Sequence, residues 1–228
     1  MSANLMSLAR SGGKFLKLFG DRKMMKLLPY DAEVEYLEST GTQWIDTGIV
    51  CSIGIGVKVD IAVLELNDTT YPQFFGSYEP DTMVTFGGWN NSSQPYSAGT
   101  SNNHVDVMVS SFPFVCETKI NYMSDGVISI TSGSQNEQGT FMYDNAANGM
   151  KFMLFAGGDL NGVTSYDGKC RISGCVVTDV ENVKADFIPV RFTNEHGETE
   201  GAMFDRVSGQ LFRNAGTGAF IIGPDKTT

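Results

Sequence analysis

From about residue 57 onward the chain falls into short runs of β-forming residues, separated by clusters of Gly, Asp, Asn and Ser. That cadence restricts the fold more than any other feature. The clearest run is 57–66. There Val57, Val59, Ile61 and Val63 share one side of an extended strand, and Lys58, Asp60 and Ala62 share the other. Successive side chains of a strand point to opposite faces, so the pattern predicts one buried and one wet face. Further β runs lie at 73–76, 82–87, 105–109, 118–123, 127–131, 139–143, 150–157, 168–177, 187–192 and 200–205. Residues 210–212 are expected to pair with 219–222. Trp44 and Ile45 lead into Thr47-Gly48, read as a turn. Turn chemistry recurs at 124–126, 159–162 and 194–197, and Asp125-Gly126 between two β runs is a hairpin signal. Many short strands without an interior helix predict a β-sandwich. At 228 residues the chain could form one large β domain or two small ones, and sandwiches often reach this size as a single unit. With 41% hydrophobic residues and 18% charged, it is globular and not disordered. No run approaches the length needed to span a bilayer.

Two longer signatures sit at opposite ends. The first is Glu33-Val-Glu-Tyr-Leu-Glu-Ser-Thr-Gly-Thr-Gln-Trp-Ile-Asp-Thr-Gly48, led in by Leu28-Pro29-Tyr30. The second is Asp186-Phe-Ile-Pro-Val-Arg191 with Phe204-Asp-Arg-Val-Ser-Gly-Gln-Leu-Phe-Arg-Asn-Ala-Gly-Thr-Gly-Ala-Phe220 and Gly223-Pro224. Together they resemble a family of concanavalin A-like (laminin-G-like) sandwiches from gut bacteria and their phages. The resemblance runs from residue 28 to 224, loosely in the middle. It implies an all-β, jelly-roll antiparallel sandwich over residues 29–228, and a place among phage virion or bacterial surface proteins. In such folds the first and last strands commonly lie side by side, so the two signatures are expected to form one unit. Trp44, Ile45, Phe155, Phe187, Ile188, Phe204, Leu211, Phe212 and Phe220 are the expected core.

Charge is uneven. Residues 1–28 carry six Lys and Arg against Asp21 alone, or +5, so the remaining 200 residues carry −15 of the total −10. A basic arm on an acidic body is the expected arrangement, and such a body repels nucleic acid phosphates. Within the arm, Phe15, Leu16, Leu18 and Phe19 share one helical side. Met24, Met25, Leu27 and Leu28 share nearly the opposite side. The stripe flips across Gly20-Asp21, which predicts two short helices with Asp21 capping the second. Pro29 ends the segment. These apolar groups need a partner or the chain's own sandwich. The expectation is an anchor, with Phe15, Leu16, Leu18 and Phe19 docking while Lys14, Lys17, Arg22 and Lys23 meet acidic groups. Packing on the chain's own sheets and a membrane-surface helix are the other readings. The apolar and basic residues are interspersed, unlike a signal peptide, so cytosolic synthesis followed by assembly is expected.

Chemistry-bearing patterns are sparse. Glu33, Glu35 and Glu38 belong to the first signature, and Glu195, Glu198 and Glu200 surround His196 in turn-like sequence; neither set has the aromatic floor a sugar-cleaving carboxylate pair needs. His104 and His196 lie beside no nucleophile elbow. Cys170 and Cys175 have no second pair or His partners for zinc, and their spacing of five puts them on opposite faces of a strand, so they are expected to stay unpaired. Asp159 and Asn161 lack the regular spacing of a dedicated calcium loop. No catalytic residue, metal or cofactor is assigned. Trp89, Asn90, Asn91 and Tyr96 could stack on and hydrogen-bond to a sugar, or Trp89 could simply cover the core edge. The expected function is a non-enzymatic virion protein: a capsid decoration, head-fibre or tail-associated sandwich held by its arm to other virion proteins, multicopy or homo-oligomeric, and assembled in the host cytoplasm. A carbohydrate-binding surface module is the alternative, and a glycan hydrolase the third class.

Overall fold

The computed structural model describes residues 28–52, 54–65, 72–79, 84–91, 94–100, 104–107, 114–119, 126–132, 135–141, 149–165, 168–179 and 182–227. The basic arm, with Lys14, Phe15, Leu16, Lys17, Leu18, Phe19, Arg22 and Lys23 and its expected helices, lies outside them.

The described chain is all-β. It opens with Ala32–Glu33 (β1), Leu37–Thr40 (β2), Ile45–Val50 (β3) and Ile55–Val63 (β4). Next come Gln73–Glu79 (β5), Val84–Asn91 (β6), Gln94–Thr100 (β7), His104–Val107 (β8), Phe114–Lys119 (β9), Gly126–Ser132 (β10) and Gln135–Phe141 (β11). Short pieces follow at Lys151–Leu154 (β12), Gly157–Gly158 (β13) and Val163–Ser165 (β14). The chain closes with Lys169–Asp179 (β15), Asn182–Thr193 (β16), Thr199–Asp205 (β17), Gln210–Arg213 (β18) and Ile221–Ile222 (β19).

Two sheets result. One runs β11-β10-β9-β4-β15-β16-β17-β18, with β1 on β16 and β2 bridging β15 and β19. The other runs β14-β13-β5-β6-β7-β8, with β12 between β5 and β3. Among the described residues pairing is antiparallel except for a parallel bridge of Gly158 with Ser77. Val57, Val59 and Ile61 of the first sheet share one core with Phe75, Phe152 and Leu154 of the second. The arrangement is consistent with a β-sandwich.

The alternation read at 57–63 is observed: Val57, Val59, Ile61 and Val63 are buried, while Lys58 and Asp60 are exposed. Elsewhere bulges alter the pattern. Thr47-Gly48 is not a turn but a bulge inside β3, because Phe152 faces Ile49 while Met153 faces Asp46. The Asp46 carboxylate accepts from the Gly48 amide at 2.9 Å, and the Thr47 hydroxyl donates to the Phe152 carbonyl. The expected 150–157 strand breaks at Phe155, whose φ of 66° is costly for a bulky residue. Its ring is fully buried against Phe220, centroids 4.7 Å apart, and that packing holds the bend.

Three details differ from expectation. Lys119 faces Val127, so the link between β9 and β10 is longer than an Asp-Gly turn, and Gly126 belongs to β10. The 118–123 run begins earlier, at Phe114. Residues 210–213 pair with β17, whereas 221–222 pair with β2. Of the expected core, Ile45, Phe155, Phe187, Ile188, Phe204 and Phe220 are buried. Trp44 and Phe212 are only partly buried at the edge of the main core, and Leu211 only partly so against a second cluster. They sit where the termini meet, at the rim of the sheets.

Cys170 and Cys175 are both free and fully buried in the same core. The expected opposite faces are overturned by a bulge between Ile172 and Gly174, which resets the alternation. They stay apart because five extended residues span about 16 Å, far beyond disulfide reach. Burial raises both thiols, and pushes Cys51 up to about 12.

Phe187 packs edge-on against Phe212 at 5.3 Å. Phe187→Ala should cost about 3–5 kcal/mol in urea unfolding; a loss under about 1 kcal/mol would place its side chain outside the core. In native protein Cys51, Cys170 and Cys175 should resist alkylation and react on unfolding. Non-reducing peptide maps should show no 170–175 bridge.

Candidate functional site

The two end signatures meet. From Val34 to Glu38 the chain runs antiparallel to 221–225, through the pairs Ile221–Glu38 and Ile222–Leu37 and the bridge Val34–Asp225. Amides of Glu35, Gly223 and Lys226 donate to carbonyls of Pro224, Tyr36 and Glu33 at 2.8–3.0 Å. The Arg191 guanidinium grips Asp225 through two hydrogen bonds of 2.7 Å, which holds that carboxyl below the usual carboxylate range. Arg171 bonds Glu38 at 2.6 Å and lies over the Tyr36 ring at 4.4 Å.

Beside this ladder, loop 40–44 interlocks with loop 214–218. Asn214 Oδ1 accepts from the amides of Trp44 and Gly216, and its Nδ2 donates to the Gly218 carbonyl. The Ala215 and Thr217 amides donate to the Trp44 and Thr42 carbonyls. A Cβ on Gly216 would fall 2.1 Å from the Thr42 carbonyl oxygen, so only glycine fits there. Gln43 is buried, and its Oε1 accepts from the Thr40 amide at 2.8 Å. The residues that carry the family resemblance therefore build a clasp between the two ends of the body.

A second device organises the 205–209 turn. Asp205 is buried, which alone would raise its pKa. Donors from the Asp186, Val207 and Ser208 amides outweigh that and leave it lowered. Arg206 fastens the turn to Asp186 at 2.8 Å.

The outer face of β16 and β17 carries its own apolar cluster of Ile188, Val190, Phe192, Ala202 and Phe204. Tyr30 lays its ring on Phe204 at 4.9 Å, Leu211 packs alongside, and the Arg213 guanidinium lies 4.6 Å above Phe192. Sequence reading missed this second cluster. Its signal was the unbroken apolar stretch from Phe187 to Val190, which fits a strand covered on both faces.

The glycan candidates are placed as follows. Trp89 lies in β6, opposite Ser97, and is 8% exposed. A stacking platform needs an open ring face, and this ring is buried. Asn90 and Asn91 follow it in β6, and Tyr96 lies in β7 opposite Val107; their side chains lie outside the description. The Glu195-His196 turn is solvated, with side chains 84% and 74% exposed, and is ordered by Asn194, whose Oδ1 accepts from the His196 and Glu198 amides. Asp159 uses Oδ1 to cap the Asn161 and Gly162 amides. Among the described residues, no group of three or more His, Cys, Asp or Glu could hold a metal ion, and no helix is long and apolar enough to cross a membrane. No family model matches the chain, and neither a curated protein nor a solved structure does.

Asn214→Ala leaves the Trp44 and Gly216 amides without their acceptor and should cost about 1–3 kcal/mol. Asp205→Asn should also destabilise. Because the folded carboxyl has the lower pKa, its contribution is present at neutral pH and fades as pH falls through the carboxylate range. The gap in unfolding free energy between wild type and Asp205→Asn should therefore shrink between pH 7 and pH 3. A gap that grows toward acid would contradict this role.

Proposed function

We propose that the chain is a non-enzymatic phage virion structural protein: a concanavalin A-like jelly roll that decorates a capsid, head fibre or tail. Residues 1–28 are its attachment to other virion proteins, and assembly takes place in the host cytoplasm. One observation carries the attachment reading. The first described strand, β1, pairs with β16, and Leu28, where the arm meets the body, is half-exposed. The segment before it is basic and apolar, opposite in charge to the body, which supports an attachment role. The virion context rests on the family resemblance of the end signatures, and fold by itself does not fix function.

Five of the described carboxylates hold structural roles, which supports a scaffold reading. Glu38, Asp186 and Asp225 are in ion pairs with arginines, and Asp159 and Asp205 cap turns. Display of a glycan-binding surface remains the alternative reading. Burial of Trp89 argues against a sugar platform centred on it, and a glycan array with a Trp89→Ala control would separate the two.

Deleting residues 1–20 should leave a body that melts like the full chain but is missing from purified particles, as read by mass spectrometry. Phe15→Ala with Phe19→Ala should reduce incorporation more than Lys14→Gln with Lys17→Gln, because buried aromatics carry most binding energy and rim charges mainly tune rate. Normal incorporation of the truncated chain would overturn the anchor.

A further inference from the structure

We infer that Asn161 is a deamidation site held shut by the fold, and that Asp159 is the residue that holds it. The inference does not rest on the attachment reading and concerns the chemistry of the body alone.

An asparagine followed by glycine is open to attack by its own backbone, because the missing Cβ leaves the glycine nitrogen unobstructed. Asn161-Gly162 is such a pair. The Gly162 amide gives up its proton to base, and its nitrogen bonds to Cγ of the Asn161 side chain. The carboxamide C–N bond breaks, and the leaving nitrogen takes a proton from water and departs as ammonia. Water then opens the cyclic imide at either carbonyl, and the ring nitrogen regains a proton. The product is aspartate or isoaspartate at 161. The net change is one water taken up and one ammonia released, with no oxidant or reductant.

Solvent and space favour this reaction. Asn161 and its neighbour Leu160 are exposed, and a Cβ on Gly162 would meet nothing within 4 Å. What opposes it is the state of the attacking nitrogen. The Gly162 amide donates to Asp159 Oδ1 at 2.8 Å, and the Asn161 amide donates to the same oxygen at 2.6 Å. Asp159 is only 8% exposed, so water competes poorly for that oxygen. A carboxylate on the N–H opposes loss of its proton, since the anion formed would face a negative charge. The bond also fixes the direction of the nitrogen, so attack on Cγ requires breaking it first. The loop is pinned as well. The Asp159 amide donates to the Gly162 carbonyl at 2.8 Å, and the Lys151 amide of β12 donates to the Asp159 carbonyl at 3.0 Å. The sequence holds a second such pair, Asn148-Gly149, and there too the glycine amide is engaged, donating to the Cys51 carbonyl at 2.9 Å.

The test follows position 161 by peptide mapping in mildly alkaline buffer. The chains are wild type, Asp159→Ala, Asp159→Asn, and Asp159→Ala combined with Gly162→Ala. Wild type in guanidinium is the unfolded reference. Aspartate and isoaspartate at 161 are the readout, and circular dichroism with the thermal midpoint reports the folded state. Native wild type should convert about ten- to a hundredfold more slowly than the unfolded chain, the factor expected of a hydrogen bond to a charged acceptor. Folded Asp159→Ala should recover most of that factor at Asn161 but not at Asn148. Asp159→Asn keeps a neutral acceptor and should fall between; it carries the comparison if the alanine variant does not fold. Adding Gly162→Ala should suppress conversion again, because a Cβ crowds the nitrogen. Native wild type converting at the unfolded rate would overturn the inference, as would a folded Asp159 variant no faster than wild type. A rise shared equally with Asn148 would mark general loosening, and a double variant as fast as Asp159→Ala would exclude the imide route; either result also overturns it.

Discussion

Everything else in this fold leans on one contact: the antiparallel union of residues 34–38 with 221–225. It joins segments more than 180 residues apart. Closing so long a loop costs on the order of 5 kcal/mol in chain entropy. The backbone ladder, the Arg191–Asp225 pair, the Asn214 clasp and the Phe220–Phe155 contact together offset that cost. The union also completes neighbouring parts. β2 lies between the first half of β15 and β19. A Cβ on Gly201 of β17 would fall 2.6 Å from the end of the Leu37 side chain, so Leu37 packs directly against that glycine.

The union divides the large sheet. β15 pairs with β2 along Lys169–Ile172 and with β16 along Cys175–Asp179, and the bulge at 172–174 is the fork. β16 and β17 continue past the fork with apolar side chains on both faces. One face joins the main core through Phe187 and Met203, and the other forms the second cluster around Val190. A strand pair with two dry faces needs two covers. The main core supplies one, and the approach of the chain before β1 supplies at least Tyr30 to the other.

Local periodicity carried the strand pattern because it is a property of neighbours. The alternation from Val57 to Val63 and the β character of 169–177 and 187–192 were readable without tertiary information. Reading failed wherever an extra residue changed phase. Period two predicts opposite faces for Cys170 and Cys175, and a bulge at Ser173-Gly174 returns them to one face. Thr47-Gly48 looked like a turn because glycine and a hydroxyl residue also suit a bulge, and only Phe152 across the ladder distinguishes the two. Residues 219–222 looked like the return strand of a hairpin with 210–212, but Trp44 and Thr42 draw loop 214–218 away from it.

By itself, the sequence determined the all-β class, the stretches that become strands, the charge contrast between arm and body, and the membership of both end signatures in one structural unit. The first three follow from composition and period two, and the last from what the resemblance of the end signatures implies. The tertiary structure alone decided that the signatures are a clasp, that β16 and β17 are dry on both faces, and that the Trp89 ring is buried. Each depends on which segment arrives from far along the chain, and side-chain identity at one position does not encode that.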